Sequence, residues 1–108
     1  MAEPPILVTG ADGMLASALR RRFARDDGPR GEVLWTDVDR LDITDARAVE
    51  EFVRRHRPDV IVNCAAMTDV DGCEEREDEA FRVNAEAVGH LARAARESGG
   101  LLVQVSTD

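Results

Sequence analysis

Two glycines near the start of the 108-residue sequence have the spacing of a phosphate-binding turn. Residues 6–9 are rich in strand formers and end at Gly10, and a helical pattern begins three residues later at Gly13. Gly10 permits a tight turn, and Gly13 lets the backbone approach a pyrophosphate closely. The free N–H groups and the dipole of a helix start also favour an anion. We therefore expect Gly10, Gly13, Met14 and Leu15 to bind the diphosphate of a dinucleotide.

The carboxylate of Asp37 supports this interpretation of the glycines. The loop has the spacing Gly-x-x-Gly-x-x-Ala rather than Gly-x-Gly-x-x-Gly, so a plain strand-to-helix turn is the alternative. Asp37, however, ends the second predicted strand, where a carboxylate can accept both ribose hydroxyls of NAD. Arg40 is close enough to keep NADP open, and an exposed turn aspartate is the other interpretation of Asp37. The expected cofactor is thus NAD or NADP.

The composition excludes several classes of protein. Lys and Arg total 14 and Asp and Glu total 22, so the net charge is −8, which opposes binding to nucleic acid. All the cations are Arg, and both Lys and Tyr are absent. No apolar run approaches the roughly 20 residues of a membrane helix, and no signal peptide is recognisable. We expect a cytoplasmic protein with reduced cysteines, no metal site, and neither a nucleic-acid nor a membrane partner.

The elements that position these residues alternate between short apolar strands and longer helical patterns. Strands are predicted at residues 6–9, 33–36, 60–62 and 101–105, with helices at 13–25, from a Thr44 cap to Pro58, and at 74–97. Apolar strands without alternation imply burial on both faces, hence an α/β, doubly wound, Rossmann-like parallel sheet with βαβαβαβ order. Right-handed crossovers predict the strand order 3-2-1-4. We expect residues 1–108 to be the N-terminal part of an NAD(P)-binding domain, truncated after an exposed fourth strand.

Longer motifs characterise the sequence more specifically than the glycine turn does. They are Leu-Asp-Ile-Thr-Asp at 41–45, a stretch at 57–71 that contains Val-Asn-Cys-Ala-Ala-Met-Thr-Asp, and Ser-Thr-Asp at 106–108. With Glu74 and Val83-Asn84-Ala85 between them, these motifs resemble the dTDP-4-dehydrorhamnose reductase family of extended short-chain dehydrogenases. The resemblance covers essentially the whole chain.

The resemblance implies a part of the cofactor site for several residues. Asp42 and Ile43 would meet the adenine, with the carboxylate accepting a hydrogen bond from its amino group. Ala65, Ala66 and Met67 would line the cofactor beyond the third strand. The alternatives are that Asp42 is only a favourable charge at a helix N-terminus and that the alanines only fill space.

The same resemblance places the last residue of the fourth predicted strand and two residues after it on the reacting side. Val105 would lie near the nicotinamide, Thr107 resembles the catalytic hydroxyl, and Asp108 is its neighbour in the sugar-nucleotide site. The family completes this site with a Tyr-x-x-x-Lys pair, which a sequence without Tyr and Lys cannot supply. We expect no turnover from this chain alone, because a missing general acid typically costs about 10²–10⁴-fold.

The implied function is the NAD(P)-dependent reduction of a dTDP-4-keto-deoxysugar in dTDP-rhamnose biosynthesis, with a nucleotide sugar as substrate. A non-catalytic regulatory subunit on the same scaffold, similar to the beta subunit of methionine adenosyltransferase, is the alternative from another class. Among enzymes, a nucleotide-sugar epimerase or dehydratase is the nearest rival. Family members differ in dimerisation, so a homodimer is left open.

Overall fold

The computed structural model describes residues 3–11, 13–25, 28–29, 31–64 and 77–104, which form four parallel strands that alternate with three helices. In chain order the elements are β1 (Ile6–Thr9), α1 (Met14–Phe23), β2 (Val33–Trp35), α2 (Ala46–His56), β3 (Val60–Asn63), α3 (Glu77–Ser98) and β4 (Leu101–Gln104). This arrangement confirms the predicted α/β class and the βαβαβαβ order. None of the described helices is long and apolar enough to cross a lipid bilayer.

The predicted strand order 3-2-1-4 is wrong, because the sheet has the order β2-β1-β3-β4. β1 lies between β2 and β3, with Leu7 opposite both Leu34 and Ile61. The physical reason is the side of the sheet that each helix covers. α1 packs on one face and α2 on the other, so two right-handed crossovers must place β2 and β3 on opposite sides of β1.

The strands carry apolar side chains on both faces, and each face has its own hydrophobic cluster. On one face the fully buried Leu7 and Ile61 of the sheet pack with Val49 of α2 and Leu91 of α3. On the other face, the smaller cluster of Val8, Ala16 and Cys64 packs with the inner side of α1. Burial on both faces explains why the central strands show no apolar–polar alternation.

α2 begins one residue later than predicted, with Asp45 rather than Thr44 as its N-cap. The Asp45 carboxylate accepts from the backbone N–H groups of Arg47 and Ala48, each at 3.1 Å. The Thr44 hydroxyl instead donates to Asp42. A carboxylate satisfies two helix-start donors at once and also suits the helix dipole, so it takes the capping position.

The strand β4 is at the edge of the sheet and is largely exposed. Leu102 faces the larger cluster, whereas Leu101 and Val103 point to the opposite face and are 61% and 40% exposed. The register explains this difference, since Leu101 and Val103 continue the row of Val60 and Val62 on the face that α1 covers only in part.

Candidate functional site

A cavity of about 700 Å³ opens at the carboxyl ends of the strands. Because α1 and α2 lie on opposite faces, the chain reverses its winding direction between β1 and β3, and ligands of open α/β sheets bind at such a switch point. Thr9 and Cys64, at the ends of these two strands, both line the cavity. The corrected strand order therefore gives the site its location.

The turn between β1 and α1 forms the floor of the cavity. Gly10 has φ +70°, the left-handed conformation that favours glycine, and its carbonyl accepts from the N–H of Gly13 at 3.0 Å. Gly13 is the N-cap of α1 and has no side chain to satisfy the first-turn N–H groups, and that turn holds no acidic residue. The amides of Met14 and Leu15 have no partner within the helix and none from the N-cap residue, so among the described residues they are available to hold an anion.

The glycine at position 13 matters for space rather than for backbone conformation. Its φ of −80° and ψ of 166° are open to any residue. A Cβ there would meet the Gly10 carbonyl oxygen at 3.3 Å, and the rest of a side chain would extend into the cavity that Gly13 lines. The turn thus has the shape of a cradle that a side chain would fill, as a close approach of backbone to diphosphate requires.

Asp37 forms one wall of the cavity, beside the exposed Val38. Its backbone carbonyl accepts from the N–H groups of Arg40 and Leu41, so a tight turn fixes the carboxylate at the end of β2. The guanidinium of Arg40 is directed elsewhere: Nη1 donates to the Trp35 carbonyl at 3.4 Å. Among the described cavity-lining residues the other charged side chain is that of Asp42, which is also negative.

The Asp42 carboxylate is held by a local turn at a second wall. Its Oδ1 accepts from the Thr44 hydroxyl at 2.6 Å and from the Thr44 backbone N–H at 3.0 Å. These bonds, the hydroxyl first, lower the pKa of Asp42 below its ordinary value. The carboxylate is therefore anionic at neutral pH, and its second oxygen is not used by this turn.

A polar rung crosses three strands just below the cavity. The Thr9 hydroxyl donates to Asn63 Oδ1, and Asn63 Nδ2 donates to Gln104 Oε1 at 2.8 Å. Thr9 and Asn63 are almost fully buried, in register opposite each other, and Gln104 is opposite Asn63 on the edge strand. The rung ties together the strand ends from which the site loops leave.

Seven of the predicted cofactor-binding residues line this one cavity. They are Gly10, Gly13, Met14, Leu15, Asp37, Asp42 and Ile43. The other predicted site residues lie outside the described part of the chain, namely Ala65, Ala66, Met67, Val105, Thr107 and Asp108. Their roles stay predictions.

Sequence reasoning missed several further lining residues. Besides Thr9 and Cys64, the cavity is lined by Leu41 and, from α3, by Asn84 and Ala87. The position of Cys64 directly after a strand was a usable signal, because parallel strand ends share one edge of the sheet. Burial raises the pKa of the Cys64 thiol, so the neutral thiol packs as a small hydrophobic group.

Comparison with known proteins gives a family for the whole chain. The family model of the RmlD substrate binding domain matches residues 4–108. A dTDP-4-dehydrorhamnose reductase of Streptomyces griseus is 48% identical over 108 residues, which cover 98% of this chain and 34% of the relative. The chain thus spans about a third of the length of the curated relatives it matches.

Solved structures agree with this comparison. A dTDP-4-dehydrorhamnose reductase of Clostridium acetobutylicum superposes with a TM-score of 0.84 and 42% identity, over 94% of this chain and 35% of that one. The enzyme of the same type from Bacillus anthracis, in complex with NADP, superposes with a TM-score of 0.80 and 32% identity, over 94% of this chain and 35% of that one. The fold is therefore shared with two solved dTDP-4-dehydrorhamnose reductases, one of which binds NADP.

Proposed function

The chain belongs to the RmlD substrate binding domain family, and we propose that it forms the cofactor-binding part of a reductase of dTDP-4-keto-deoxysugars. The observation that carries this proposal is the cavity at the switch point, where an uncapped helix start and an acidic strand end face one space. The relatives named above support the substrate class, since they are dTDP-4-dehydrorhamnose reductases.

The described residues suit a dinucleotide. Free amides of Met14 and Leu15 would hold the diphosphate, and Gly13 would allow it to approach. Asp37 would accept hydrogen bonds from the hydroxyls of the adenosine ribose. Asp42 would accept from the adenine amino group through the oxygen that the Thr44 turn does not use.

The reaction we propose adds a hydride and a proton to a carbonyl group. When bound, the reduced nicotinamide supplies the hydride to the carbonyl carbon, and the oxygen takes the proton, so a ketone becomes an alcohol. By resemblance, Thr107 would orient that carbonyl through its hydroxyl, and Asp108 would contact the sugar nucleotide. The general acid is not among these residues, so we propose that this chain alone binds cofactor and does not turn over.

The negative charge of the cavity wall that holds Asp37 favours NAD over NADP. Asp37 and Asp42 would repel a 2′-phosphate, and the Arg40 guanidinium is engaged with the Trp35 carbonyl and lies 5.7 Å from the Phe52 ring centroid. NADP binding would require Arg40 to leave these contacts and turn toward the cavity. We therefore propose NAD as the preferred cofactor, with NADP accepted less tightly.

Calorimetric titration of the intact natural protein with NADH and NADPH tests the proposed site. We expect both to bind, NADH more tightly, and Asp37→Asn to weaken NADH while leaving NADPH unchanged or improved. Arg40→Ala is the matched control on the same turn, and it should weaken NADPH alone. A natural protein that binds neither nucleotide would overturn the proposed function, and equal losses for both nucleotides in Asp37→Asn would overturn the ribose assignment.

Turnover separates the reductase from the regulatory alternative. The intact protein, given NADH and a dTDP-4-keto-deoxysugar, should oxidise NADH in proportion to the alcohol formed. Binding of NADH without turnover would favour the non-catalytic subunit instead.

Two further aspects of the protein are its location and its oligomeric state. We propose that it works in the cytoplasm, which the biosynthetic relatives support. The homodimer that the sequence leaves open is tested by light scattering of the intact protein.

A further inference from the structure

A histidine outside the cavity contacts one of its walls. His90 lies half-buried on α3, and its Nδ1 is 3.0 Å from the carbonyl oxygen of Ile43, a residue 47 positions earlier in the chain. A carbonyl oxygen only accepts hydrogen bonds, so Nδ1 carries the hydrogen and donates it. The bond therefore joins α3 to the segment that leads from β2 into α2.

This segment and α3 both line the cavity. Residues 41–44 line it from the segment, and Asn84 and Ala87 line it from α3. We call the part of the cavity that these residues line the adenine slot, because the resemblance assigns Asp42 and Ile43 to the adenine. His90 lies one helical turn beyond Ala87, and its hydrogen bond joins the two elements that line the slot.

The other contacts around Ile43 are apolar or local. Leu41 anchors the start of the segment in the larger hydrophobic cluster, with 5% of its surface exposed, and Ile43 packs against the same cluster. The Asp42 carboxylate holds the peptide between Ile43 and Thr44 through the Thr44 N–H, but Asp42 belongs to the same segment. Among the described contacts, only the His90 bond connects the Ile43 carbonyl to a second element through a polar group.

We propose that His90 is a positioning residue, whose hydrogen bond sets the width of the adenine slot before the nucleotide arrives. The inference rests on the proposed function, since it assumes that the slot takes the adenine of the dinucleotide. A wall that is already held in place loses less conformational freedom when a flat ring packs against it. The affinity for the dinucleotide therefore rises without a direct contact between His90 and the ligand.

Two substitutions of similar size separate the hydrogen bond from helix stability. His90→Asn keeps a donor, because the amide nitrogen of Asn lies the same number of bonds from Cα as Nδ1 does. His90→Leu removes the donor and is the better helix former of the two. If His90 only stabilises α3, the Leu variant should lose less affinity for NAD than the Asn variant. If His90 positions the wall of the slot, the Asn variant should lose less.

The experiment uses the intact natural protein and both variants of it. It measures the Kd for NAD and the steady-state constants with NADH. We expect H90L to raise the Kd and the KM for NADH roughly fivefold, the factor for one neutral hydrogen bond. Its kcat should be unchanged, because the adenine is remote from the reacting atoms. The Kd and KM of H90N should stay within about twofold of the natural values, because the hydrogen bond is retained.

Each other outcome overturns the inference. Natural affinity in H90L shows that the bond does not set the slot, although the proposed function then still stands because NAD binds. An H90N variant as weak as H90L shows that the imidazole acts by something other than donation. A fall in kcat with an unchanged KM places the effect at the chemistry rather than at the slot. A natural protein that binds no NAD overturns the proposed function itself.

Discussion

Replacement of Gly13 by Val tests whether the β1–α1 turn binds a diphosphate. The backbone conformation of Gly13 is open to any residue, and among the described residues its added Cβ would meet the Gly10 carbonyl oxygen alone, at 3.3 Å. Val is a poorer N-cap than Gly, so we expect the free energy of unfolding to fall by no more than about 1 kcal/mol. The protein should fold with the new side chain standing in the cavity.

The expected loss is in binding. Two backbone N–H groups, those of Met14 and Leu15, would lose hydrogen bonds to diphosphate oxygens, and bonds to a charged group contribute about 1.5–3 kcal/mol each. Loss of both corresponds to about 3–6 kcal/mol, or roughly a 10²–10⁴-fold rise in the Kd for NAD. Calorimetry measures the Kd, and urea denaturation followed by circular dichroism measures the stability.

The same substitution at two other glycines provides the controls. A Cβ added to Gly89, on α3, would have no neighbour within 4 Å in the described part of the chain, so Gly89→Val should leave the Kd unchanged. Gly10 has φ +70°, and Gly10→Val should destabilise the fold by about 1–2 kcal/mol or more. A Gly13→Val protein that is folded and still binds NAD within threefold of the natural affinity would refute the assignment of this turn.

Three further predictions concern the elements around the cavity. Asp45→Ala should lower the free energy of unfolding by about 1 kcal/mol in urea denaturation, through loss of the α2 cap, while Asp45→Asn should retain most of it. Asn63→Leu should cost about 1–3 kcal/mol, because the buried Thr9 hydroxyl loses its acceptor, and addition of Thr9→Val should recover part of that loss rather than add to it. Thr44→Val should raise the pKa of Asp42 toward its ordinary value in an NMR titration, and an unchanged pKa would contradict this. Because the pKa of Asp42 is depressed in the folded protein, the stabilisation that its ionised form gives to the fold is complete above the unfolded pKa and is lost as the pH falls through the folded pKa.

The sequence was sufficient to predict the elements but not how the strands are arranged. Strand formers, the glycine turn and the helical spacing are local signals, and they located β1, α1 and β3 within one to two residues. The order of the strands depends on which face of the sheet α2 covers. Both orders satisfy right-handed crossovers and both bury Val49 and Val53, so no local pattern separates them.

The candidate site, like the fold, could be predicted from the sequence only in part. That Gly10, Gly13 and Asp37 come together could be predicted, because each is a characteristic residue type at a position set by the neighbouring strand, and all three line the cavity. Asn84, in contrast, lies on a helix 20 residues beyond Cys64, and only the packing of α3 against the sheet brings it to the cavity. The contact of His90 likewise could not be predicted from the sequence, because a hydrogen bond to a main-chain carbonyl 47 residues away leaves no trace in residue type.

The rung formed by Thr9, Asn63 and Gln104 has a consequence for how the sheet assembles. A slip of one residue between β1 and β3 would set Thr9 opposite Val62 or Cys64, and the Asn63 amide would lose its aligned partner inside the apolar interior. Misaligned sheets would then carry an unsatisfied polar group that the correct alignment does not, so the rung disfavours them during folding. The residues that hold the strand ends together would in this way also select the pairing from which the cavity is built.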